Sequence, residues 1–527
     1  MHRFAIFLGF CFLIAGGIEA KDATGSPRIV IVGAGASGIA AASRLLQNGF
    51  NDVLILEAEG RIGGRVHTVK FEDYAIDLGG QWIHGEKGNV VYELAAPLNL
   101  TDHSEPYHIE MYTSNGELLD PILTKNFTAL YDRYMENAAD EQWANECNAS
   151  IGECLEPKYE FYSVRRNRDT YHKRTQVMEL SFNTIREQLS QLPGVNETMQ
   201  DALLWHFNLI QTSLDAADSW YDIAMEASAE YTICEGDRAV NWKERTYSTI
   251  LDILMKKFPN PEEQLPVLNK TILNAEVTNV DYSSEDGTVK LMTLDGKEYT
   301  ADHVIMTPSL GVLKAQHETL FTPQLPESKI NSIKHLGFGN AGKIFLAFND
   351  TWYNNAGRKN AGFDLLWTTA NRKELESNPK TMWLTHAMGF YLVEHKPRLL
   401  YIWVSGKGAR LMDDVTDEEI LSQTVGVLDT FLSKDYNISR PIAMIRSNWH
   451  QNEHFRGTYS FRSLETVRTN ASADQLAEPV MKVGKPVILF GGEATNPRYF
   501  STVHGAVGAG WREADRLINL YSKTHST

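Results

Sequence analysis

The chain has 527 residues, of which 43% are hydrophobic and 22% charged, and a formal net charge of −17. That length exceeds one simple core and sets two intertwined domains as the expectation. The composition excludes collagen, a coiled coil and a disordered chain. An acidic field of this size keeps a protein soluble, opposes nucleic-acid binding and attracts cations.

Met1-His2-Arg3 is a short basic start, Phe4 to Ile18 is almost wholly apolar, and Ala20 is a small residue suited to cleavage. Residues 1–20 therefore read as a secretory signal peptide. The alternative is an uncleaved anchor, for which the apolar run is short. Cleavage removes Arg3 and Glu19, one of each sign, so the charge stays at −17. Eight Asn-x-Ser/Thr sequons, at Asn99, Asn126, Asn148, Asn196, Asn269, Asn349, Asn437 and Asn470, fit passage through the secretory pathway. Cys11 leaves with the signal, and Cys147, Cys154 and Cys234 remain. Cys147 and Cys154 are close enough in sequence to pair; three reduced buried thiols are the equal alternative. No Cys/His spacing of metal-site type occurs. Tyr521 to Thr527 carry no anchor and no retention or peroxisomal address. The expectation is an extracellular protein without a membrane anchor.

In chain order, Arg28 to Val32 reads as a buried strand and Gly33 to Gly38 as a glycine-rich turn. A helix from Ile39 to Asn48 follows, then a second strand, Val53 to Leu56, ended by Glu57. Residues 120 to 235 read mostly as helix, including Leu130 to Glu146. Strands return at Val277 to Tyr282, Val289 to Leu294 and His303 to Thr307, then at Ile344 to Phe348 and Leu400 to Val404. A helix is expected near Asp417 to Leu432, a last apolar strand at Pro486 to Phe490, and a helix from about Gly505 to Tyr521. Strand and helix zones alternate without a linker, which points to domains built from discontinuous segments.

The turn has the spacing Gly33-x-Gly35-x-x-Gly38. Gly33 permits the tight turn, Gly35 lets the backbone approach a pyrophosphate, and Gly38 lets helix pack on strand. The free N–H groups at the helix start, at Ala36 and Ser37, suit phosphate. Glu57, 24 residues after Gly33, is placed to bind ribose hydroxyls. With a strand before, a helix after and an acid at the next strand end, this is a dinucleotide signature; alone it does not choose between FAD and NAD.

The next residues do choose. Glu57-Ala58-Glu59-Gly60-Arg61-Ile62-Gly63-Gly64-Arg65 resembles the Arg-x-Gly-Gly-Arg segment of the flavin amine oxidase family. Its glycines allow close backbone approach, and Arg61 and Arg65 can meet phosphate or flavin oxygens. Asp77 to Gly85, with Gly80-Gln81-Trp82-Ile83-His84, looks like the flavin-facing loop of the animal-type polyamine oxidases, where a histidine at the place of His84 lines the substrate tunnel. Leu268 through Val277 resembles the strand that holds adenine through the backbone of a valine. Val304 to Lys314 resembles the crossover between domains, with Pro308 a departure. Lys343, in Gly337 to Leu346, matches the lysine that binds a water near the flavin. Trp449 falls in the cofactor site, and Gly457-Thr458-Tyr459-Ser460 puts an aromatic, Tyr459, beside the flavin. Gly491-Gly492-Glu493 resembles the second FAD-binding turn. Ser501-Thr502-Val503-His504-Gly505-Ala506 resembles the turn that feeds a helix toward the flavin ring.

The resemblance implies an α/β chain: a Rossmann-like FAD-binding domain of the flavin amine oxidase type (27–85, 240–312 and 471–522), interleaved with an α+β substrate-binding domain (86–239 and 313–470). Departures sharpen it. Thr502 stands where monoamine oxidases place their second enclosing aromatic, as in animal-type polyamine oxidases. No cysteine follows Cys234, so the FAD is expected to be noncovalent. The resemblance thins over the helical insert near 120–240, which shapes the tunnel and governs substrate choice. The implied reaction is oxidation of a polyamine C–N bond, with dioxygen as co-substrate and His84, Lys343, Tyr459 and Thr502 at the reacting end. A secreted L-amino acid oxidase, a flavoprotein kept only for binding, and a nicotinamide dehydrogenase stand as alternatives. The last leaves Arg61 to Arg65 and residues 491–506 unexplained.

Overall fold

A computed structural model describes residues 26–104, 109–138, 147, 149–156, 185–354 and 362–524. The signal segment 1–20, Asn148 and residues 139–146 of the expected helix lie outside it.

The continuous apolar strand Ile29–Val32 sits inside a six-stranded sheet. It pairs in parallel with Val53–Leu56 on one side and His303–Met306 on the other, and His303–Met306 pairs with Lys485–Phe490. Thr271–Ile272 and the antiparallel Val480–Lys482 form the edges. Both faces are covered, which is why the strand shows no polar alternation. Ile29 and Ile31 face a core built with the helices Ala36–Gln47 and Val503–Thr524. Val30, Val304 and Met306 face another, closed by the sheet Val277–Asp281, Val289–Thr293 and Glu298–Ala301.

The six strands come from 27–85, 240–312 and 471–522. This unit nevertheless runs past 312. Phe321–Thr322 pairs in parallel with Val280 and Asp281, and Leu313, Leu320 and Ile333 share the core of Val280, because the helix Leu310–Leu320 needs that apolar face.

A seven-stranded sheet makes the other unit, in the order Ala443–Arg446, Ala341–Ala347, Leu399–Ser405, Ala387–Leu392, Gly362–Leu366, Ile109–Thr113, Glu117–Leu118. Its pairs are antiparallel except Gly362–Leu366 with Ile109–Thr113. The helices Glu197–Asp215 and Asp417–Leu432 bury Leu209, Leu428 and Phe431 on one face. Phe71, Ile76 and Leu78, on and just after the hairpin Thr68–Phe71/Tyr74–Asp77, pack on the other beside Phe345 and Tyr401. That second contact brings the His84 loop against the substrate-side sheet.

Local chemistry sets the helix ends. The expected helix Asp417–Leu432 starts at a capping box of Thr416 and Glu419. The first helix starts at Ala36 rather than Ile39, because Gly35 is its N-cap. Glu197–Asp215 starts on the Asn196 side chain and stops where Ala216 turns left-handed, at φ 55°. The segment from Leu268 to Val277 is no single strand: a 3-10 turn at Leu268–Lys270, the two-residue strand Thr271–Ile272 and a left-handed Asn274 break it. The hairpin at Thr68–Asp77 and the strands Ile109–Thr113, Gly362–Leu366 and Ala387–Leu392 were not expected. Cys147 and Cys154 form a disulfide, and Cys234 is free and buried.

Candidate active site

One cavity of about 1270 Å³ runs between the two sheets, larger than the roughly 300–1,000 Å³ of a pocket for one drug-sized ligand. At one end lies the glycine turn. Gly33 has φ +104°, and a Cβ there would sit 2.6 Å from Thr307 Oγ1, so only glycine fits. The Glu57 carboxylate is buried and accepts Ala34 N–H at 2.6 Å and Glu59 N–H at 2.8 Å. Burial raises its pKa, and the two backbone donors oppose the rise. The helix Ala36–Gln47 begins with no side-chain cap and no acid in its first turn, which leaves its N-terminal field to an anion.

Ser37 Oγ instead accepts Gly492 N–H at 2.9 Å and fastens the second expected cofactor turn to the first. Glu493 is buried. Its Oε1 accepts Arg65 Nη1 at 2.9 Å, and its Oε2 accepts Ser460 Oγ at 2.7 Å and Ser501 N–H at 2.8 Å. Arg65 Nη1 also donates to Thr458 O. Glu493 thus aims Arg65. The cavity wall also carries Ala36, Ala58, Gly64, Gly80, Val277 and Val503. The free helix start, the buried acid and the glycine cradle together fit a dinucleotide.

Two expected cofactor residues are not on this wall. Gly38 packs inward: a Cβ would lie 2.0 Å from Gly33 O, so its work is to seat helix on strand. Arg61 turns away, with Nη2 2.7 Å from Glu59 Oε2 and Nη1 donating to Gly64 O at 2.8 Å. It braces the Gly63-Gly64 loop, since a carboxylate two residues back is a nearer partner than any ligand.

At the other end stand the expected reacting residues. Lys343 is buried on the strand Ala341–Ala347. Its Nζ donates to Gly79 O at 2.7 Å, Gln81 Oε1 at 2.8 Å and Asp77 O at 3.1 Å, between the rings of Trp82 and Trp403. Burial pushes the Lys343 pKa down and the nearby Asp77 up, and each charge partly steadies the other. His84 is open to the cavity deep inside the molecule. Its Nδ1–H donates to Arg238 O at 2.9 Å, which leaves the Nε2 lone pair as an acceptor; burial lowers its pKa.

Tyr459 and Thr502 reach the cavity, but their hydroxyls are engaged. Tyr459 OH donates to Ser213 O at 2.7 Å. Thr502 Oγ1 donates to Tyr499 O at 2.7 Å and accepts Gly505 N–H at 3.0 Å. The ring of Tyr459 is therefore a wall, and Thr502 caps the last helix while leaving space. Trp449 lines the cavity with Nε1 on Leu78 O at 3.3 Å. Among the described residues, no group of three His, Cys, Asp or Glu is placed to hold a metal.

The sequence reading missed Asp215, the last residue of Glu197–Asp215. It lines the same cavity, accepting Gln211 Nε2 at 2.6 Å. Burial raises its pKa to about 6, the Gln211 hydrogen bond opposes the rise, and among the described residues no cation does. A carboxylate at a helix C-terminus also works against the helix dipole, so this residue is unfavourable on two counts. Tyr401 and Trp403, two apart on Leu399–Ser405, line the wall as well; their spacing on one strand face was the signal available. Arg462 lines the cavity too, but its Nε is paired with Glu230 at 2.7 Å and both Nη atoms are sealed in protein, so it offers no fork to a substrate carboxylate.

Residues 36–518 match the family described as flavin containing amine oxidoreductase. The chain is 27% identical to the peroxisomal N(1)-acetyl-spermine/spermidine oxidase of Bos taurus, over 96% of this chain and 98% of that one. It is equally similar to the Homo sapiens protein of the same name (95% and 96%), and 26% identical to a probable polyamine oxidase 5 of Arabidopsis thaliana (94% and 98%). Among solved structures it resembles a putrescine oxidase redesigned in its cofactor binding, with TM-score 0.62 at 17% identity over 94% of this chain and 99% of that one, a likeness of fold.

Proposed function

The chain belongs to the flavin containing amine oxidoreductase family and is an FAD-dependent amine oxidase, and from that premise we propose that its substrate is a polyamine, free or acetylated, taken up outside the cell. Asp215 carries the reading. A half-buried carboxylate that faces the cavity, with no cation partner among the described residues, at the helix end that disfavours it, is stabilised by a cationic ligand. A second ammonium on the substrate supplies that cation while the first amine lies near His84.

The chain's residues divide the work. Glu57, the N-terminus of Ala36–Gln47 and Arg65 would hold the FAD ribose and phosphates, without a covalent link, since no cysteine follows Cys234. A flavin held there would supply a two-electron acceptor for the hydride on the carbon beside the amine nitrogen. His84 Nε2 accepts a hydrogen bond or proton from the amine and so supplies the neutral form, whose lone pair assists hydride departure. Tyr459, Tyr401 and Trp403 exclude water, and Lys343 fixes the loop of Gln81 and Trp82. The resulting imine takes up water to give an aldehyde and a shorter amine, and dioxygen takes the electrons as hydrogen peroxide.

Secretion is supported by six sequon asparagines that are exposed (Asn99, Asn196, Asn269, Asn349, Asn437 and Asn470), with Asn126 half-buried, and by the disulfide. Among the described residues no helix is long and apolar enough to cross a membrane. Peroxide release in air tests the substrate. Release with spermine or an acetylated polyamine is expected; release with leucine alone would move the chain to the amino acid oxidases.

A further inference from the structure

His504 takes no part in the chemistry above, yet it is 3% exposed and lies behind the cavity wall. It is the second residue of Val503–Thr524, whose Val503 and Ala506 line the cavity. Its partner is Asn89, which is fully buried and caps the helix Val90–Ala95.

The orientation of the Asn89 amide follows from its neighbours. Oδ1 accepts Val91 N–H at 3.0 Å and Tyr92 N–H at 3.3 Å, so the other end must be the NH2 group. Nδ2 donates to the backbone carbonyl of His84 at 3.0 Å and lies 3.3 Å from His504 Nδ1. A group with two donors and no acceptor requires a lone pair on His504 Nδ1, so that imidazole is neutral with its proton on Nε2. Nε2 is buried and has no partner among the described residues. Protonating His504 would set two donors face to face, and burial, with the nearby His84 ring adding to it, holds its pKa down to about 3.

The geometry points to His504 as a positioning residue: its Nδ1 lone pair holds Asn89, and Asn89 holds the backbone of His84, so that the His84 ring is presented to the substrate amine. The chain of contacts joins the helix that begins at the flavin end of the cavity to the loop that faces the substrate. The catalytic meaning of the arrangement rests on the proposed role of His84; the mechanical coupling does not.

The test uses the flavin-loaded protein with diethyl pyrocarbonate, which acylates an accessible neutral imidazole. The rate at His84 is read by peptide mass spectrometry and needs no substrate. Four proteins are compared: wild type, His504→Asn, His504→Leu and Asn89→Asp. Asparagine places an oxygen near the position of Nδ1, whereas leucine removes the acceptor. Aspartate keeps the helix cap but turns the donor into an acceptor. His504→Asn is expected to match wild type, and the other two to differ from it by about threefold or more, a typical coupling between neighbouring groups. Equal rates in all four, or a shift in His504→Asn as large as in His504→Leu, would overturn the proposal. If His504→Leu does not fold, Asn89→Asp against wild type decides. Anaerobic flavin reduction by spermine should fall about tenfold or more in the same two variants. The expected labelling pattern in a protein that no amine reduces would keep the coupling and reject the polyamine reading.

Discussion

Lys343 Nζ donates to Gln81 Oε1 across 2.8 Å, so an ammonium carried by the substrate-side sheet pins the loop that bears Trp82 and His84. Its other two donors go to the carbonyls of Gly79 and Asp77. Lys343→Met removes all three bonds and leaves buried acceptors unmet, at a cost of about 2–3 kcal/mol. FAD should stay bound while flavin reduction or reoxidation slows. Stopped-flow traces unchanged in both half-reactions would remove Lys343 from the site.

Asp215→Asn should act in two opposite ways. With its folded pKa raised from 3.8 to about 6, the group's contribution to stability is greatest in acid and is lost as pH rises through about 6. The variant should therefore melt later than wild type, by the equivalent of about 1–2 kcal/mol at pH 8 and by less at pH 5, a figure below the full shift because the carboxylate faces the cavity. The KM for spermine should rise about tenfold or more. In wild type that KM should climb as pH falls below about 6, and in the variant this climb should be absent. A spermine KM unchanged by the substitution would leave Asp215 without a substrate role.

Glu57→Gln keeps the side chain's size but offers only one acceptor oxygen to Ala34 and Glu59. FAD retention should fall about tenfold, seen as a lower ratio of flavin to protein absorbance after dialysis. Arg61→Ala, which acts only through the Gly63-Gly64 loop, should lose less flavin than Arg65→Ala. The reverse order would restore Arg61 to the cofactor wall.

The exposed sequons carry a prediction about compartment. Protein secreted from a eukaryotic host should lose mass on treatment with a glycosidase specific for N-linked glycans and should begin after Ala20. An unglycosylated, uncleaved product would contradict the extracellular assignment.

Sequence and structure agree where one residue's sterics decide the outcome. Gly33 and Gly38 announce a turn because no other side chain fits beside Thr307 Oγ1 and Gly33 O. The helix expected near Asp417 to Leu432 forms where Thr416 and Glu419 satisfy its first N–H groups themselves. Agreement fails where the folded surroundings decide. Arg61 reads as a phosphate ligand until Glu59 is seen beside it. Asp215 is an ordinary acid in sequence, and acquires meaning only because Ala216 ends its helix at the cavity wall. Gly362–Leu366 pairs in parallel with Ile109–Thr113 across 253 residues, measured between the first residues of the two strands, and no local periodicity reports that. His504 lies in a recognised turn, yet its role follows from Asn89, 415 residues away.

The most direct measurement is anaerobic mixing of the flavin-loaded protein with spermine, N1-acetylspermine and leucine in turn, following the visible flavin band. A polyamine substrate requires rapid bleaching by spermine or N1-acetylspermine, slowed in Asp215→Asn and His84→Ala, and none by leucine. Bleaching by leucine alone, or by no amine at all, would contradict it.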